Sequence, residues 1–309
     1  MTITKEKLVI DLTKLGVRKG DLLNVKASLK SIGYLEGGAQ TLIEALLEVI
    51  GPEGTIVTDS FVSLHPLPFL KKNAHIVVDD KTLSYAGALA NAMIKHPQSI
   101  RSKHPIQKFS LIGYRAQELA EKHTGLSYPY GLLKLMAEQG GRNLKIGTDE
   151  KVVGVGTTHV VIGLLEYEQK RLIRGINYLD DNGNVQTHER DWVGGCGKGF
   201  NNLMPDYRNG NAVLSEGQVG LAPSKITDMG LTMAIELELL KNDPEYFKCN
   251  DPGCFDCRVS WKSKNNRPIW FLLKNMSTFN FKAIYQMFLL MIRGKWYSSV
   301  HNQVQYNNQ

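Results

Sequence analysis

The sequence predicts an α/β protein with a mixed central sheet flanked by helices and a basic C-terminal appendage. Three observations carry this reading. A strand, an amphipathic helix and a second strand follow one another within the first sixty residues. The run Val152-Val153-Gly154-Val155-Gly156-Thr157-Thr158-His159 reads as a further buried strand that passes through two glycines and stops on a histidine. With 309 residues and 42% hydrophobic side chains the chain can bury a substantial core, in one large domain or two.

Taken in order, Met1 to Glu6 leads into a charged amphipathic helix rather than an apolar signal segment, which predicts a cytoplasmic protein. Leu22 to Ala27 is the first sheet strand. The loop Ser28 to Gly38 precedes a helix marked by Leu42, Ile43, Leu46, Val49 and Ile50 at helical spacing. Gly51-Pro52-Glu53-Gly54 is a turn, and Thr55 to Phe61 the next strand, completing a βαβ unit with a right-handed crossover. The loop after the first strand therefore lies at a carboxyl edge. Its Ser, Gly and Lys residues offer N–H and hydroxyl groups to phosphate oxygens, although the same composition serves ordinary connectors.

Arg101-Ser102-Lys103-His104-Pro105 reads on its own equally as a proline-capped basic turn, with His104 in a structural role before proline. Ser127 to Gly131 precedes a helix from Leu132 to Ala137. His159, just past an expected strand end, stands where an α/β crevice places a general base; the competing reading is a packed or solvated histidine. The glycine run Gly194 to Gly199 lacks a nucleotide-loop pattern, because Phe200 follows Gly199, and reads as a flexible loop near an acceptor site. A glycine-rich turn at Gly217 to Ser224 and a helix from Asp228 to Leu240 follow.

Cys249, Cys254 and Cys257 form a Cys-x4-Cys-x2-Cys run, and Cys196 could supply a fourth thiolate. A structural zinc is expected there; three reduced cysteines without a ligand, or an iron–sulfur cluster, are the alternatives. Net charge is concentrated at the end of the chain. Eight of the 37 basic residues and none of the 30 acidic ones lie within 258–309, beside Trp261, Trp270 and Trp296. Phe281, Ile284, Phe288, Met291 and Ile292 recur at helical spacing, the pattern of a segment lying on an anionic membrane surface. The rival is a helix docked on the catalytic domain or across a homodimer; nucleic-acid binding is disfavoured, since no recognisable module frames the charges. The expected organisation is a catalytic domain over 1–245 and a cysteine-containing, basic extension over 246–309.

The succession Gly20-Asp21, Ala27 to Gly33, Glu36-Gly37-Gly38, Gly51 to Val57, Arg101 to Pro105, Gly113 and Thr157-Thr158-His159 resembles the aminoglycoside 3-N-acetyltransferase family, in order over roughly 8–240. The resemblance implies that fold and direct acetyl transfer from acetyl-CoA to an amine, with His159 as general base. It also implies coenzyme contacts from Ser28, Leu29, Lys30, Ser31 and Gly33, from Arg101 and Ser102, and from Thr157 beside the thioester. Ile162 stands where aminoglycoside-modifying members carry a glutamate, and the nearest acids downstream are Glu166 and Glu168. Loss of that carboxylate favours an acceptor with one amine and an anionic handle, such as a nucleotide-linked amino sugar or cell-surface glycan precursor. The extension would then hold the enzyme at the inner face of the cell membrane. Aminoglycoside inactivation is the alternative acceptor reading, and a catalytically silent membrane- or partner-binding module the alternative of another class.

Overall fold

Strands that are apolar on both sides must lie in the middle of a sheet covered on both faces. In Leu22–Ala27, Leu23 and Val25 enter one core layer while Leu22 enters the other, and Ile56 and Val57 of Thr55–Asp59 divide the same way. The computed structural model, which describes residues 2–147, 155–180, 182–190, 193–262 and 267–298, places these strands centrally. Its main sheet has seven strands in the order Val213–Val219, Ala222–Asp228, Arg142–Ile146, Leu22–Ala27, Thr55–Asp59, Phe109–Gly113, Ile100–Arg101. The Leu22–Ala27 strand runs parallel to both neighbours, with Asn24 in register with Asn143 and Val57; the outer pairings are antiparallel. The sheet is mixed, as expected.

Helices Lys5–Leu15, Ala39–Ile50 and Ala88–Lys95 cover one face through Leu8, Leu12, Leu42, Leu46 and Met93. Thr4 caps the first of them by accepting from the Lys7 amide, and Gly16 ends it at φ 99°, a left-handed conformation that glycine adopts without a Cβ clash. Helices Ala116–Glu121, Gly131–Glu138, Thr157–Leu164 and Met229–Asn242 cover the other face through Leu119, Leu132, Met136, Val160 and Met229.

The segment around His159 departs from expectation. Val152, Val153 and Gly154 lie outside the described residues, and the chain is helical from Thr157 to Leu164. His159 thus occupies the first turn of a helix rather than a position past a strand end. Its two preceding threonines bury their hydroxyls on Glu236, and this anchoring outweighs their β-branched preference for extended backbone.

Beyond residue 245 the chain packs back against this layer. Gly294–Tyr297 pairs antiparallel with Gln169–Leu172, and Trp261 bridges to Gln169. Phe247, Trp261 and Tyr297 share a buried cluster with Val161, Ile162, Val193 and Phe200. Helices Pro268–Ser277 and Phe281–Arg293 follow one another across a short turn. Among the described residues no helix is long and apolar enough to cross a membrane.

Candidate active site

The parallel strands end together at one edge of the sheet, where an open α/β fold forms its crevice. Immediately after Leu22–Ala27 the chain turns once through Leu29–Ile32. The Ser28 amide donates to the Ile146 carbonyl at 2.9 Å, the Ser28 and Ser31 hydroxyls meet at 2.9 Å, and the Ser31 hydroxyl donates to the Gly147 carbonyl at 3.0 Å. These bonds fix the loop to the neighbouring strand end. Ser28, Leu29 and Ser31 remain partly open and Lys30 is exposed. Gly33 (φ 106°) closes the turn, and the Leu221 amide donates to the Ile32 carbonyl at 3.0 Å, so the glycine-rich hairpin turn braces this loop.

Arg101 and Ser102 point inward. The Arg101 guanidinium donates to the carbonyls of Asp80 (3.1 Å), Thr82 (2.5 Å) and Ser60 (2.5 Å), and burial lowers its pKa to about 10. Ser102 is fully buried: its hydroxyl accepts from the Phe109 amide at 2.9 Å and lies 3.0 Å from His123 Nδ1. Both side chains are engaged in holding the 79–82 loop and the adjacent strand, so any effect on a coenzyme would pass through those segments. His104 is also interior, its Nδ1 accepting from the amides of Ile106 and Gln107, in keeping with the structural role expected before Pro105.

His159 lies at the base of a recess, partly open, between two rings. Tyr130 stacks on it with centroids 4.2 Å apart and planes 6° from parallel, and Phe200 meets it edge-on at 5.0 Å. The Tyr128 hydroxyl donates to its backbone carbonyl at 2.8 Å. Its Nδ1 has no hydrogen-bond partner among the described residues. Burial, followed by the charges of Lys26, Arg190 and Arg171, lowers the imidazole pKa to about 3. The ring is therefore neutral at pH 7, and so low a pKa makes it a weaker base than an ordinary histidine. Lys26 is held by Asp59 at 3.0 Å and Arg171 by Asp256 at 2.8 Å, while Arg190 is largely enclosed, with its pKa lowered to about 10.

Behind His159 lies a carboxylate that sequence reasoning missed. Glu236 is fully buried and accepts from Thr158 (2.6 Å), Thr157 (3.1 Å) and Tyr207, while its second oxygen has no partner among the described residues. Desolvation raises its pKa to about 8. A signal for it exists: Thr232, Glu236 and Leu240 form one i, i+4, i+8 row on the buried side of Met229–Asn242, which places an acid on the buried face of the helix. Thr157 itself is wholly buried between Glu236 and Thr232, which sets its hydroxyl beneath the first turn of the His159 helix.

The glycine run expected to be flexible is closely packed. A Cβ on Gly195 would lie 2.0 Å from the Phe200 ring, one on Gly194 2.3 Å from the Arg171 guanidinium, and one on Gly199 2.1 Å from the Phe247 carbonyl. At Gly199, where the neighbour is backbone, close approach requires glycine; at Gly194 and Gly195 a larger residue would have to displace the Arg171 or Phe200 side chain. Ile162, where the resemblance implies an acid, is buried in the cluster with Phe247, Trp261 and Tyr297. Glu166 and Glu168 do not replace that acid, for they line a separate cleft with Tyr167, Phe247 and Trp261 whose walls do not include His159. Cys196 and the Cys249, Cys254, Cys257 run, distant in sequence, come together: their four sulfurs all lie within 4.8 Å of one another.

Comparison with known proteins agrees with this geometry. Residues 25–241 match the family model described as aminoglycoside 3-N-acetyltransferase. Aminoglycoside N(3)-acetyltransferase IX of Micromonospora chalcea is 33% identical over 155 residues, which cover 45% of this chain and 55% of that protein. Aminoglycoside N(3)-acetyltransferase III of Acinetobacter baumannii is 32% identical over 161 residues, 47% of this chain and 55% of that protein. The chain thus spans about half the length of the curated relatives it matches. Among solved structures, that of AAC-VIa bound to sisomicin superposes with a TM-score of 0.69 at 26% identity, covering 78% of this chain and 98% of the other. A mutant of AAC(3)-IVa in complex with gentamicin gives a TM-score of 0.69 at 25% identity, covering 83% and 96%.

Proposed function

Because the chain belongs to the aminoglycoside 3-N-acetyltransferase family, we propose that it transfers an acetyl group from acetyl-CoA directly to an amine on a sugar, with His159 as general base. The observation that carries this is a histidine held between Tyr130 and Phe200 and within the field of Lys26, near the end of the strand that leads into the Ser28–Gly33 loop. In this reading Ser28, Leu29, Lys30, Ser31 and Gly33 hold the coenzyme pyrophosphate. Thr157 lies under the thioester, and Arg101 and Ser102 act by positioning. His159 takes a proton from the attacking amine, nitrogen bonds to the acetyl carbon, and the thiolate of coenzyme A leaves. Residues 1–245 would form the catalytic unit and 246–309 its extension.

The names of the relatives support an aminoglycoside amine as acceptor. A second reading, a nucleotide-linked amino sugar, draws on the basic side chains whose charges act on His159 among the described residues, Lys26, Arg190 and Arg171. Lys26 and Arg171 are each paired with an acid, Asp59 and Asp256, so a phosphate-bearing acceptor would compete with those carboxylates for the same cations. A bound phosphate would offset the charges of Lys26, Arg190 and Arg171, which are smaller causes of the His159 shift than burial. Thiol release from acetyl-CoA by the purified protein, measured with a panel of aminoglycosides and nucleotide-linked amino sugars, separates the readings. Release with aminoglycosides selects the first and release with sugar nucleotides alone the second; silence with both rules out both acceptor classes and leaves another acceptor or a binding module.

The extension supports attachment to an anionic membrane surface. Trp270, Met276, Phe279, Phe281, Tyr285 and Ile292 are each more than half exposed, beside Arg267, Lys274, Lys282, Arg293 and Lys295. Apolar side chains interleaved with cations and no acids complement a negatively charged bilayer. Sedimentation with phosphatidylglycerol vesicles, weak with phosphatidylcholine vesicles and reduced by salt, is the expected result. A concentration-dependent dimer with no vesicle binding would assign the same face to a second copy of the chain instead.

A further inference from the structure

We propose that Cys196, Cys249, Cys254 and Cys257 bind a single structural zinc ion that clamps the wall of the His159 recess to the C-terminal segment. The four sulfurs come from two stretches about fifty residues apart, yet all lie within 4.8 Å of one another, and Cys196 Sγ and Cys254 Sγ are 3.6 Å apart. A tetrahedron of Zn–S bonds of about 2.3 Å sets sulfurs about 3.8 Å apart, close to this spacing. A disulfide requires about 2.05 Å, so the pair at 3.6 Å is not bonded, and all four cysteines are free. A four-iron cluster would need its thiolates spread more widely, around a cube.

The surroundings suit a thiolate site. Cys196, Cys249 and Cys257 are buried and Cys254 half-buried, so four neutral thiols would face one another with little hydrogen bonding. The Cys249 amide donates to Cys257 Sγ at 3.4 Å, the contact by which backbone N–H groups orient and stabilise a ligating sulfur. Arg258 donates to the Cys249 carbonyl and at 3.2 Å to the Asp251 carbonyl, placing a cation beside a site that would carry net negative charge.

The site sits on the elements that shape the recess. Cys196 caps the single turn Gly197–Phe200, whose Phe200 meets His159. Asp256, next to Cys257, holds Arg171. One ion therefore fixes both an aromatic wall and a cation of the recess through two ligand arms.

The experiment measures metal in tag-free, dialysed protein by mass spectrometry, then titrates the thiols with a mercurial while a chromogenic chelator reads zinc release. About one zinc per chain is expected, released as the thiols react. Replacement by cobalt(II) should give thiolate-to-metal charge transfer and the intense visible bands of a tetrahedral site. C196S and C257S should each lose zinc, with folding followed by circular dichroism. In the wild-type protein, zinc removal should accelerate hydrogen exchange in 193–203 and 246–261 while sparing the central sheet. Less than about 0.1 zinc per chain after refilling with zinc salt, or an iron–sulfur chromophore, would overturn the site. Unchanged exchange in zinc-free protein would overturn the clamp.

Discussion

At His159, position and protonation are set by different neighbours. Tyr130 and Phe200 fix the ring, while desolvation and three cations keep it neutral. His159→Ala should lower turnover on the order of 10²-fold or more while leaving coenzyme binding intact, as read by single-turnover kinetics and coenzyme titration. The same shift has a thermodynamic sign. With a folded pKa of about 3 against 6.5 for the free side chain, the unfolded state binds the proton first as pH falls. His159 therefore opposes stability progressively as pH drops from about 6.5 to 3, and His159→Gln should flatten that part of the stability curve. Glu236 acts in the opposite sense. Its carboxyl stays protonated up to about 8 in the fold, so its contribution is complete below 4.5 and declines as pH rises from 4.5 to 8. Glu236→Gln keeps the volume and removes that slope, which urea unfolding at a series of pH values would show. An unaltered slope would mean that Glu236 is ionised in the native state. Glu236 is legible in the i, i+4 row on its helix, whereas the cations around His159 are not, because Lys26, Arg171 and Arg190 come from three separate strands or loops.

At the level of elements, the legible parts are those with sustained periodicity. Leu22–Ala27, Ala39–Ile50 and Thr55–Asp59 stand where alternation and i, i+4 spacing put them. A second sheet, in which Arg174–Leu179 pairs with Val185–Glu189, His65–Pro66 and Val77–Val78, is not legible, since His65–Pro66 and Val77–Val78 are two-residue strands with no period of their own. Thr157 and Thr158 read as the end of a strand because β-branched residues favour one, while their hydrogen bonds to Glu236 decide for a helix over Thr157–Leu164. The glycine run reads as mobile because glycine signals flexibility and close packing alike. Gly195 provides the test. An added Cβ would lie 2.0 Å from the Phe200 ring, so Gly195→Ala must displace that ring from His159. A loss of about 1–3 kcal/mol in stability is expected from overpacking, together with a lower turnover. Phe200→Leu, which makes room, should restore much of the stability when combined with it.

Across the whole molecule, the family relationship accounts for the sheet, while the extension accounts for the surroundings of Ile162. Ile162 is buried because Phe247, Trp261 and Tyr297 cover it, so a carboxylate at this position would be desolvated without a partner. Ile162→Glu should consequently destabilise the protein by several kcal/mol instead of conferring tighter aminoglycoside binding; thermal unfolding and acceptor titration read the two effects separately. Removing residues 246–309 should expose Val161, Val193 and Phe200 and yield aggregation-prone protein rather than a free catalytic unit.

The pairing of Gly294–Tyr297 with Gln169–Leu172 also bears on the order of events during synthesis. The central strands and the helix carrying His159 lie upstream, but the sheet edge and aromatic cover that complete the recess form only after Tyr297 has left the ribosome. A nascent chain stalled before that point would hold the helix Thr157–Leu164 without the strand Gly294–Tyr297, so the cluster around Ile162 closes only after the chain has been made through Tyr297.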